Sequence, residues 1–118
     1  MSHTPHHPFL RQIAADVCVA PQLTPAIMAE LAALGFKSVV NNRPDFEEGP
    51  GQPTSALIEA AAKAAGLAYA HLPVQPAHQT PEQIARMAEL LDSMPRPMVA
   101  FCRSGTRSGK LYQAAFSR

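Results

Sequence analysis

The sequence has few of the residues that stabilise small secreted proteins. It contains two cysteines, Cys18 and Cys102, which cannot form a disulfide framework and suit a reducing compartment. It also has no apolar run that approaches the length needed to cross a bilayer, and its N-terminus lacks the apolar core of a signal peptide. We therefore expect a cytoplasmic protein.

Charge of either sign is also sparse. Charged residues make up 16% of the chain and nearly cancel, to a formal net charge of +1, which argues against a nucleic-acid or membrane partner. Hydrophobic residues make up 47% of the 118 residues, enough for the core of one compact domain, whereas the length is too short for two. We assign residues 11–118 to this domain. Residues 1–10, with His3, His6 and His7 between prolines, are predicted to form a flexible tail.

Strand-like and helix-like segments alternate along the chain. Short apolar runs predict strands, while capping residues before a segment and a glycine after it predict helices. The predicted strands are 17–20, 36–40, 67–72 and 98–101, and the predicted helices are 24–34, 55–65, 80–93 and 107–116. This order is typical of an α/β domain with a parallel four- or five-stranded sheet flanked by helices. In such sheets ligands bind beyond the carboxyl ends of the strands.

Cys102 follows the last predicted strand and begins a candidate anion-binding cradle. The residues that follow it are Arg103, Ser104, Gly105, Thr106, Arg107 and Ser108. Backbone N–H groups of this turn and the positive end of the next helix converge on one point, which favours a thiolate and lowers its pKa. Arg107 offers a bidentate fork to an oxyanion, and Ser108 offers a hydroxyl to the thiolate. We therefore predict Cys102, Arg107 and Ser108 as catalytic residues and residues 103–106 as the anion cradle. Cys18 lies in an apolar run and is interpreted as a core residue.

Three segments of the chain resemble a known family. They are residues 41–53, residues 71–74 and residues 101–108, within a match that runs from about residue 10 to the C-terminus. They resemble the small bacterial beta-lactamase hydrolase-like, phosphatase-like domains (DUF442), whose fold is similar to that of dual-specificity tyrosine phosphatases. The resemblance implies a cysteine-phosphatase-like fold with Cys102 as the nucleophile. It implies phosphatase-like activity or, as in some lineages of the family, sulfur transfer.

The spacing of the cradle departs from the usual phosphatase pattern. Four residues separate Cys102 from Arg107, where tyrosine phosphatases usually have five. The shorter spacing resembles that of rhodanese-type sulfurtransferases, which often place an arginine directly after the cysteine, as Arg103 is here. A tighter ring suits a persulfide sulfur and encloses a phosphoryl group less completely.

The general acid is not evident from the sequence. The loop at residues 73–78, where phosphatases of this fold usually carry an aspartate, contains no carboxylate. His78 is one substitute, although an exposed loop histidine is the simpler interpretation. Asp45, Glu47 or Glu48 could reach the site from the polar loop 41–53, or that acidic loop could simply be solvated. Arg43 either pairs with these carboxylates or helps to bind an anion.

Three functions follow from these observations. The first is a phosphatase that hydrolyses a small phosphomonoester or a phosphoprotein through a cysteinyl-phosphate, with no metal or other cofactor because the cradle supplies the positive charge. The second is a sulfurtransferase that moves sulfane sulfur from thiosulfate, through a Cys102 persulfide, to a glutathione-like thiol. The third, an anion-binding module without catalysis, is disfavoured by the intact nucleophile. The family resemblance favours the phosphatase, and the short loop and missing acid favour sulfur transfer.

Overall fold

Five strands form one sheet between two pairs of helices in the computed structural model, which describes residues 9–117. The strands are β1 (Arg11–Ala14), β2 (Val17–Ala20), β3 (Ser38–Asn41), β4 (Ala68–His71) and β5 (Met98–Phe101). The helices are α1 (Ile27–Ala33), α2 (Ser55–Ala64), α3 (Pro81–Ser93) and α4 (Thr106–Phe116). The strand order is β1-β2-β5-β3-β4. All strands except β1, which are β2, β5, β3 and β4 in that order, run parallel to one another. The predicted α/β class with a flanked, mostly parallel sheet is confirmed.

The first strand is the one that the sequence analysis did not predict. β1 pairs with β2 in antiparallel fashion at the edge of the sheet, and its side chains are exposed or half-buried. Arg11 and Gln12 give it no continuous apolar run, so backbone pairing with β2 rather than burial holds it in place. The strand that brings the sheet to five is therefore β1, which precedes the first predicted strand and runs antiparallel to it.

Alternate residues of the central strands pack on opposite faces of the sheet. On β5, Val99 and Phe101 face a core that includes residues of α1 and α2, whereas Met98 and Ala100 face a core that includes residues of α3 and α4. All four β5 side chains are fully buried. A strand buried on both faces is the expected centre of a doubly covered parallel sheet.

Local capping explains where α3 begins, whereas α1 begins without a side-chain cap. Thr80 accepts a hydrogen bond from the N–H of Gln83, and the Gln83 side chain accepts one from the N–H of Thr80, which forms the predicted capping box of α3. For α1 the predicted cap is wrong. The helix begins at Ile27, its N-cap is Ala26, and no side chain caps it because Pro25 and Ala26 form a turn before it.

The register of the sheet brings four strand ends together. Ala20, Asn41 and His71 lie at the same level as Phe101, since β2, β3 and β5 pair without offset and β4 continues the register of β3. The loops that follow these strands therefore meet at one edge, where ligands of parallel sheets bind.

Most of the predicted tail, residues 1–8, lies outside the described residues. These eight residues include His3, His6 and His7. Leu10 is 9% exposed and belongs to the core on the α1 and α2 face, with Phe9 packed against it, so the packed domain includes these two residues. Between residues 9 and 117, no helix combines the length and the apolar character that a bilayer crossing would require.

Candidate active site

Cys102 lies directly after β5, beneath the turn that leads into α4. Its N–H donates to the carbonyl of Ala20 at 3.3 Å, which continues the β2–β5 pairing by one step. Its sulfur accepts a hydrogen bond of 3.1 Å from the N–H of Gly105. Gly105 has a φ of 94°, which is the left-handed conformation that glycine adopts most readily, and this turns its N–H towards the sulfur. The sequence-predicted cradle therefore forms around the sulfur, which is fully buried.

The surroundings of Cys102 favour its thiolate. Burial raises the pKa, but it is outweighed by donors: the N–H groups of Ser108 and Ser104, the Ser108 hydroxyl and the Gly105 N–H. The net effect lowers the pKa of the Cys102 thiol from its ordinary value of 9.0. Three of the four donors are backbone groups of a turn at a helix N-terminus, where the helix dipole also favours an anion. A lowered pKa raises the fraction of thiolate, which is the reactive form of a cysteine side chain.

The Ser108 hydroxyl has a second candidate acceptor. Its Oγ donates to Oδ1 of Asn42 at 2.8 Å, while Nδ2 of Asn42 donates to the carbonyl of Leu72 at 3.0 Å. A hydroxyl has one proton, so donation to Asn42 and donation to the thiolate are alternatives. The backbone amides support the thiolate in either case. Asn42 thus ties the loops after β3 and β4 to α4.

Arg107 is held by a carboxylate from the loop after β3. Its Nη1 and Nη2 donate to the two carboxylate oxygens of Glu47, each at 2.8 Å, and Nη1 also donates to the carbonyl of Val74 at 2.9 Å. This bidentate pairing fixes the plane of the guanidinium. Arg107 and Glu47 are 12% and 19% exposed, so the pair lies partly within the protein.

Arg43 holds Glu47 from the other side. Its Nε donates to Oε1 of Glu47 at 2.8 Å, its Nη1 donates to Gln22 at 3.0 Å, and its Nη2 lies 3.1 Å from Glu48. Arg43 is 2% exposed, so the alternative that it binds a substrate anion directly has no support here, whereas pairing with the loop carboxylates does. Hydrogen bonds from Arg107 outweigh burial, and with those from Arg43 they lower the pKa of Glu47.

The other proposed acids lie in different settings. Asp45 accepts a hydrogen bond of 2.7 Å from the N–H of Ser55 at the start of α2, which is a structural role. His78 is exposed on a turn in the loop after β4, and it lines a cavity of about 180 Å³ together with Arg107 and Lys110. Glu47 is the one carboxylate beside Arg107 in the described part of the chain, and its environment keeps it ionised.

A cleft of about 440 Å³ lies on the outer side of the cradle. Its lining residues are Glu47, Pro76, Ala77, Arg103, Ser104, Thr106, Arg107 and Lys110. Cys102 is not among the residues that line this cleft, because the turn covers its sulfur. Lys110 was missed by the sequence analysis, although it follows Arg107 by three residues on a helix and therefore shares its face. Gln22 and Asn42 were missed as contacts of Arg43 and Ser108, since their partners lie in distant parts of the chain.

Cys18 takes no part in this site. It lies in the core on the α1 and α2 face, and burial raises its pKa to about 11. It pairs with Val99, three residues before Cys102, so the two cysteines are separated by about 10 Å along the strands. A disulfide needs Cα atoms less than about 7 Å apart, so a bond between them would require backbone movement. Its interpretation as a core residue is confirmed.

The chain is similar to known proteins along most of its length. The profile of the beta-lactamase hydrolase-like protein, phosphatase-like domain family matches residues 9–117. The chain belongs to this family. The beta-lactamase hydrolase-like protein of Agrobacterium fabrum is 39% identical over 101 residues, which cover 86% of this chain and 23% of that protein. The chain therefore spans about a quarter of the length of this curated relative.

Solved structures of similar fold are described as phosphatases. A predicted phosphatase of Neisseria meningitidis has a TM-score of 0.79 and 30% identity, covering 91% of this chain and 75% of that one. A predicted DUF442 phosphatase of Shewanella putrefaciens has a TM-score of 0.76 and 16% identity, covering 91% and 66%. TpbA of P. aeruginosa, solved with phosphotyrosine, has a TM-score of 0.61 and 16% identity, covering 87% and 59%. The fold is thus cysteine-phosphatase-like, as predicted.

Proposed function

We propose that this protein is a cysteine-dependent phosphatase that hydrolyses phosphomonoesters, either small molecules or phosphoproteins, through a cysteinyl-phosphate on Cys102. The observation that carries the proposal is the Cys102 sulfur, surrounded by N–H donors that lower its pKa and followed five residues later by Arg107 in the first turn of α4. The phosphatase-like family and fold support the same chemistry.

The reaction has two steps. In the first, the Cys102 thiolate attacks phosphorus, an S–P bond forms, the ester P–O bond breaks, and the leaving oxygen departs with the bonding electrons. In the second, water attacks phosphorus, the S–P bond breaks, and phosphate and the thiolate are released. Backbone N–H groups of residues 103–107 and the Arg107 guanidinium stabilise the equatorial oxygens in both transition states. The positive charge that stabilises these oxygens therefore comes from the protein itself.

Substrate binding requires a rearrangement of the cradle. The sulfur is fully buried and both outer nitrogens of Arg107 bind Glu47. A phosphoryl group must therefore displace the turn outwards enough to reach the sulfur, and it must share Arg107 with Glu47. We assign Glu47 a positioning role rather than an acid role, since it is paired with two guanidinium groups that favour its ionised form.

Sulfur transfer is the second candidate, and the absence of a ready acid favours it. The Cys102 thiolate would attack the outer sulfur of thiosulfate, form an S–S bond and release sulfite. The resulting persulfide would pass its sulfur to a glutathione-like thiol and regenerate the thiolate. No leaving oxygen has to be protonated in this route. Arg103, which is 69% exposed at the rim of the cleft, is available to bind the sulfonate.

One experiment distinguishes the two functions. The purified protein is incubated with p-nitrophenyl phosphate or with thiosulfate, quenched with acid, and analysed by mass spectrometry of the peptide that contains Cys102. We expect phosphate release from the aryl phosphate and a phosphorylated Cys102. A persulfide after thiosulfate, with no phosphate release, would reverse the assignment.

Two variants serve as controls for this experiment. Cys102→Ser should abolish turnover, whereas Cys18→Ser should keep it, because Cys18 lies in the core away from the cradle. Arg107→Lys should lower turnover by about 10²-fold or more, because a point charge cannot reproduce the planar fork. Wild-type-like turnover in the lysine variant would contradict the role given to Arg107.

A further inference from the structure

A second cleft, with a volume of about 510 Å³, adjoins the cradle along α4. Its lining residues are Arg11, Ile13, Gln79, Thr106, Gly109, Lys110, Tyr112 and Gln113. Thr106 and Lys110 also line the cradle cleft, so the two clefts lie side by side on α4. The volume lies within the range of sites that bind small molecules.

The second cleft is positively charged and uncompensated. Arg11 and Lys110 line it, and no Asp or Glu is among its lining residues. Within residues 9–117, neither cation forms an ion pair with a carboxylate, and both are exposed to solvent. By contrast, Arg43, Arg103 and Arg107 around the cradle all lie next to Glu47 or Glu48. Two free cations at a cleft favour an anionic ligand.

Gly109 allows Arg11 to approach α4 closely. A Cβ atom at this position would lie 3.4 Å from Nη2 of Arg11, so the guanidinium of the edge strand lies against the helix backbone. Glycine inside a helix lowers the stability of the helix relative to alanine. Here it makes room for a cation at the wall of the cleft, which places Arg11 beside Lys110.

The spacing suits a ligand with two anionic groups. Thr106, Lys110 and Gln113 follow one another on a single face of α4, and the distance from Thr106 to Gln113 along the axis is about 10 Å. A phosphoryl group in the cradle at the start of α4 would therefore leave room for a second anion beside Lys110 and Arg11. The separation is that of a small scaffold such as a sugar.

We propose that this second cleft binds the second phosphate of a small phosphomonoester substrate, so that the preferred substrate carries two phosphate groups. The proposal rests on the proposed function, because the first phosphate occupies the Cys102 cradle. It names a substrate class and a recognition site outside the catalytic residues.

The test measures binding rather than turnover. Fructose 6-phosphate and fructose 1,6-bisphosphate are titrated into the Cys102→Ser protein by calorimetry. We expect the bisphosphate to bind about tenfold more tightly. Adding Arg11→Met should weaken binding of the bisphosphate about fivefold, which corresponds to the loss of about 1 kcal/mol from one exposed cation. It should change the affinity for the monophosphate by less than about twofold. Gln113→Glu, which adds a carboxylate to the cleft, should act in the same direction.

Lys63→Met is the matched control, because Lys63 is an exposed lysine on α2, on the opposite face of the sheet. It should leave both affinities unchanged. Equal binding of the two sugars, no bisphosphate binding at all, or an unchanged preference in Arg11→Met and Gln113→Glu would overturn the proposal. A preference for the bisphosphate in a protein that hydrolyses no phosphate ester would keep the second site and reject the phosphatase.

Discussion

At the scale of single residues, the two cysteines show how position decides reactivity. Cys18 and Cys102 are both buried, yet burial alone acts on Cys18 and raises its pKa to about 11. Cys102 differs because backbone N–H groups point at its sulfur and lower its pKa. The direction of hydrogen bonds, rather than exposure, therefore separates a core thiol from a thiol that favours its ionised form.

This difference predicts the pH dependence of alkylation. A raised fraction of thiolate at neutral pH should let iodoacetamide modify Cys102 with a pH midpoint below 9.0, whereas Cys18 stays unmodified in the folded protein. Burial slows the reaction of Cys102, but the midpoint reports its pKa. The extent of alkylation of both cysteine peptides is measured by mass spectrometry from about pH 5 to about pH 10, a range that includes the ordinary pKa of a cysteine. A midpoint at or above 9.0 for Cys102 would contradict the assignment of the nucleophile.

Glu47 predicts a second effect, on stability. Glu47→Gln removes the carboxylate that Arg43 and Arg107 share and leaves Arg43, at 2% exposure, with the half-exposed Glu48 as its remaining carboxylate partner. We expect a loss of about 2–4 kcal/mol in the free energy of unfolding, near the lower part of the range for breaking buried pairs because Glu47 is 19% exposed. Urea denaturation at neutral pH measures this. Glu89→Gln, which breaks an exposed pair with Arg86, should change stability by less than about 1 kcal/mol.

The sign of the pH dependence follows from the same carboxylate. The pKa of Glu47 is lowered in the folded protein, so its contribution is complete above the unfolded value, near 4.5, and is lost as the pH falls through the folded pKa. The difference in stability between the parent and Glu47→Gln should therefore shrink on acidification below pH 4.5. A difference that stayed constant down to about 1.5 units below this pH would show that the carboxylate acts through its shape rather than its charge.

At the scale of elements, the turn between β5 and α4 converts local sequence into a site. Gly105 is the N-cap of α4 with a φ of 94°, and a Cβ there would lie 3.4 Å from the carbonyl oxygen of Ala20. A side chain at this position therefore meets a left-handed backbone and a close contact with β2 at the same time. The N–H of Gly105 that binds the Cys102 sulfur depends on this conformation.

Gly105→Ala tests the turn. We expect it to lower stability by about 1–2 kcal/mol, the cost of a left-handed alanine, and to lower phosphatase turnover because the N–H moves away from the sulfur. Gly51→Ala is the control, because Gly51 lies in a loop with nothing within 4 Å of the added Cβ. Thermal unfolding and p-nitrophenyl phosphate turnover are measured for both. Unchanged turnover in Gly105→Ala would show that this N–H is not required.

The same scale shows what the sequence could and could not predict. The strands β2 to β5 and three helix starts follow from apolar runs and caps, such as Thr80, which act through neighbours in the chain. β1 was missed because an edge strand needs only a paired backbone. The position of Cys102 could be predicted, since strand, turn and helix are contiguous in sequence. The Arg43–Glu47–Arg107 network could not be assigned, because its geometry depends on two loops meeting across the sheet edge.

At the scale of the whole molecule, the sheet decides which groups reach the leaving oxygen. The loops after β3, β4 and β5 meet at one edge, and together they bring a single carboxylate, Glu47, beside Arg107 in the described chain. That carboxylate is paired with two arginines and stays ionised. His78 is exposed and lines a neighbouring cavity together with Arg107, and no hydrogen bond connects it to the cradle in the described chain. The architecture thus provides charge stabilisation without a ready proton donor.

The absence of a ready donor predicts how the rate depends on the leaving group. If no acid protonates the leaving oxygen, kcat/KM should rise steeply with the acidity of the phenol, because the phenolate leaves as an anion. We expect p-nitrophenyl phosphate to exceed phenyl phosphate by about 10²-fold or more, the range that an acid catalyst would otherwise supply. His78→Ala should leave this ratio unchanged. If His78 were the acid, its removal would slow phenyl phosphate far more than p-nitrophenyl phosphate and widen the ratio. Equal rates for the two esters in the parent would instead reveal an efficient acid and contradict the role given to Glu47.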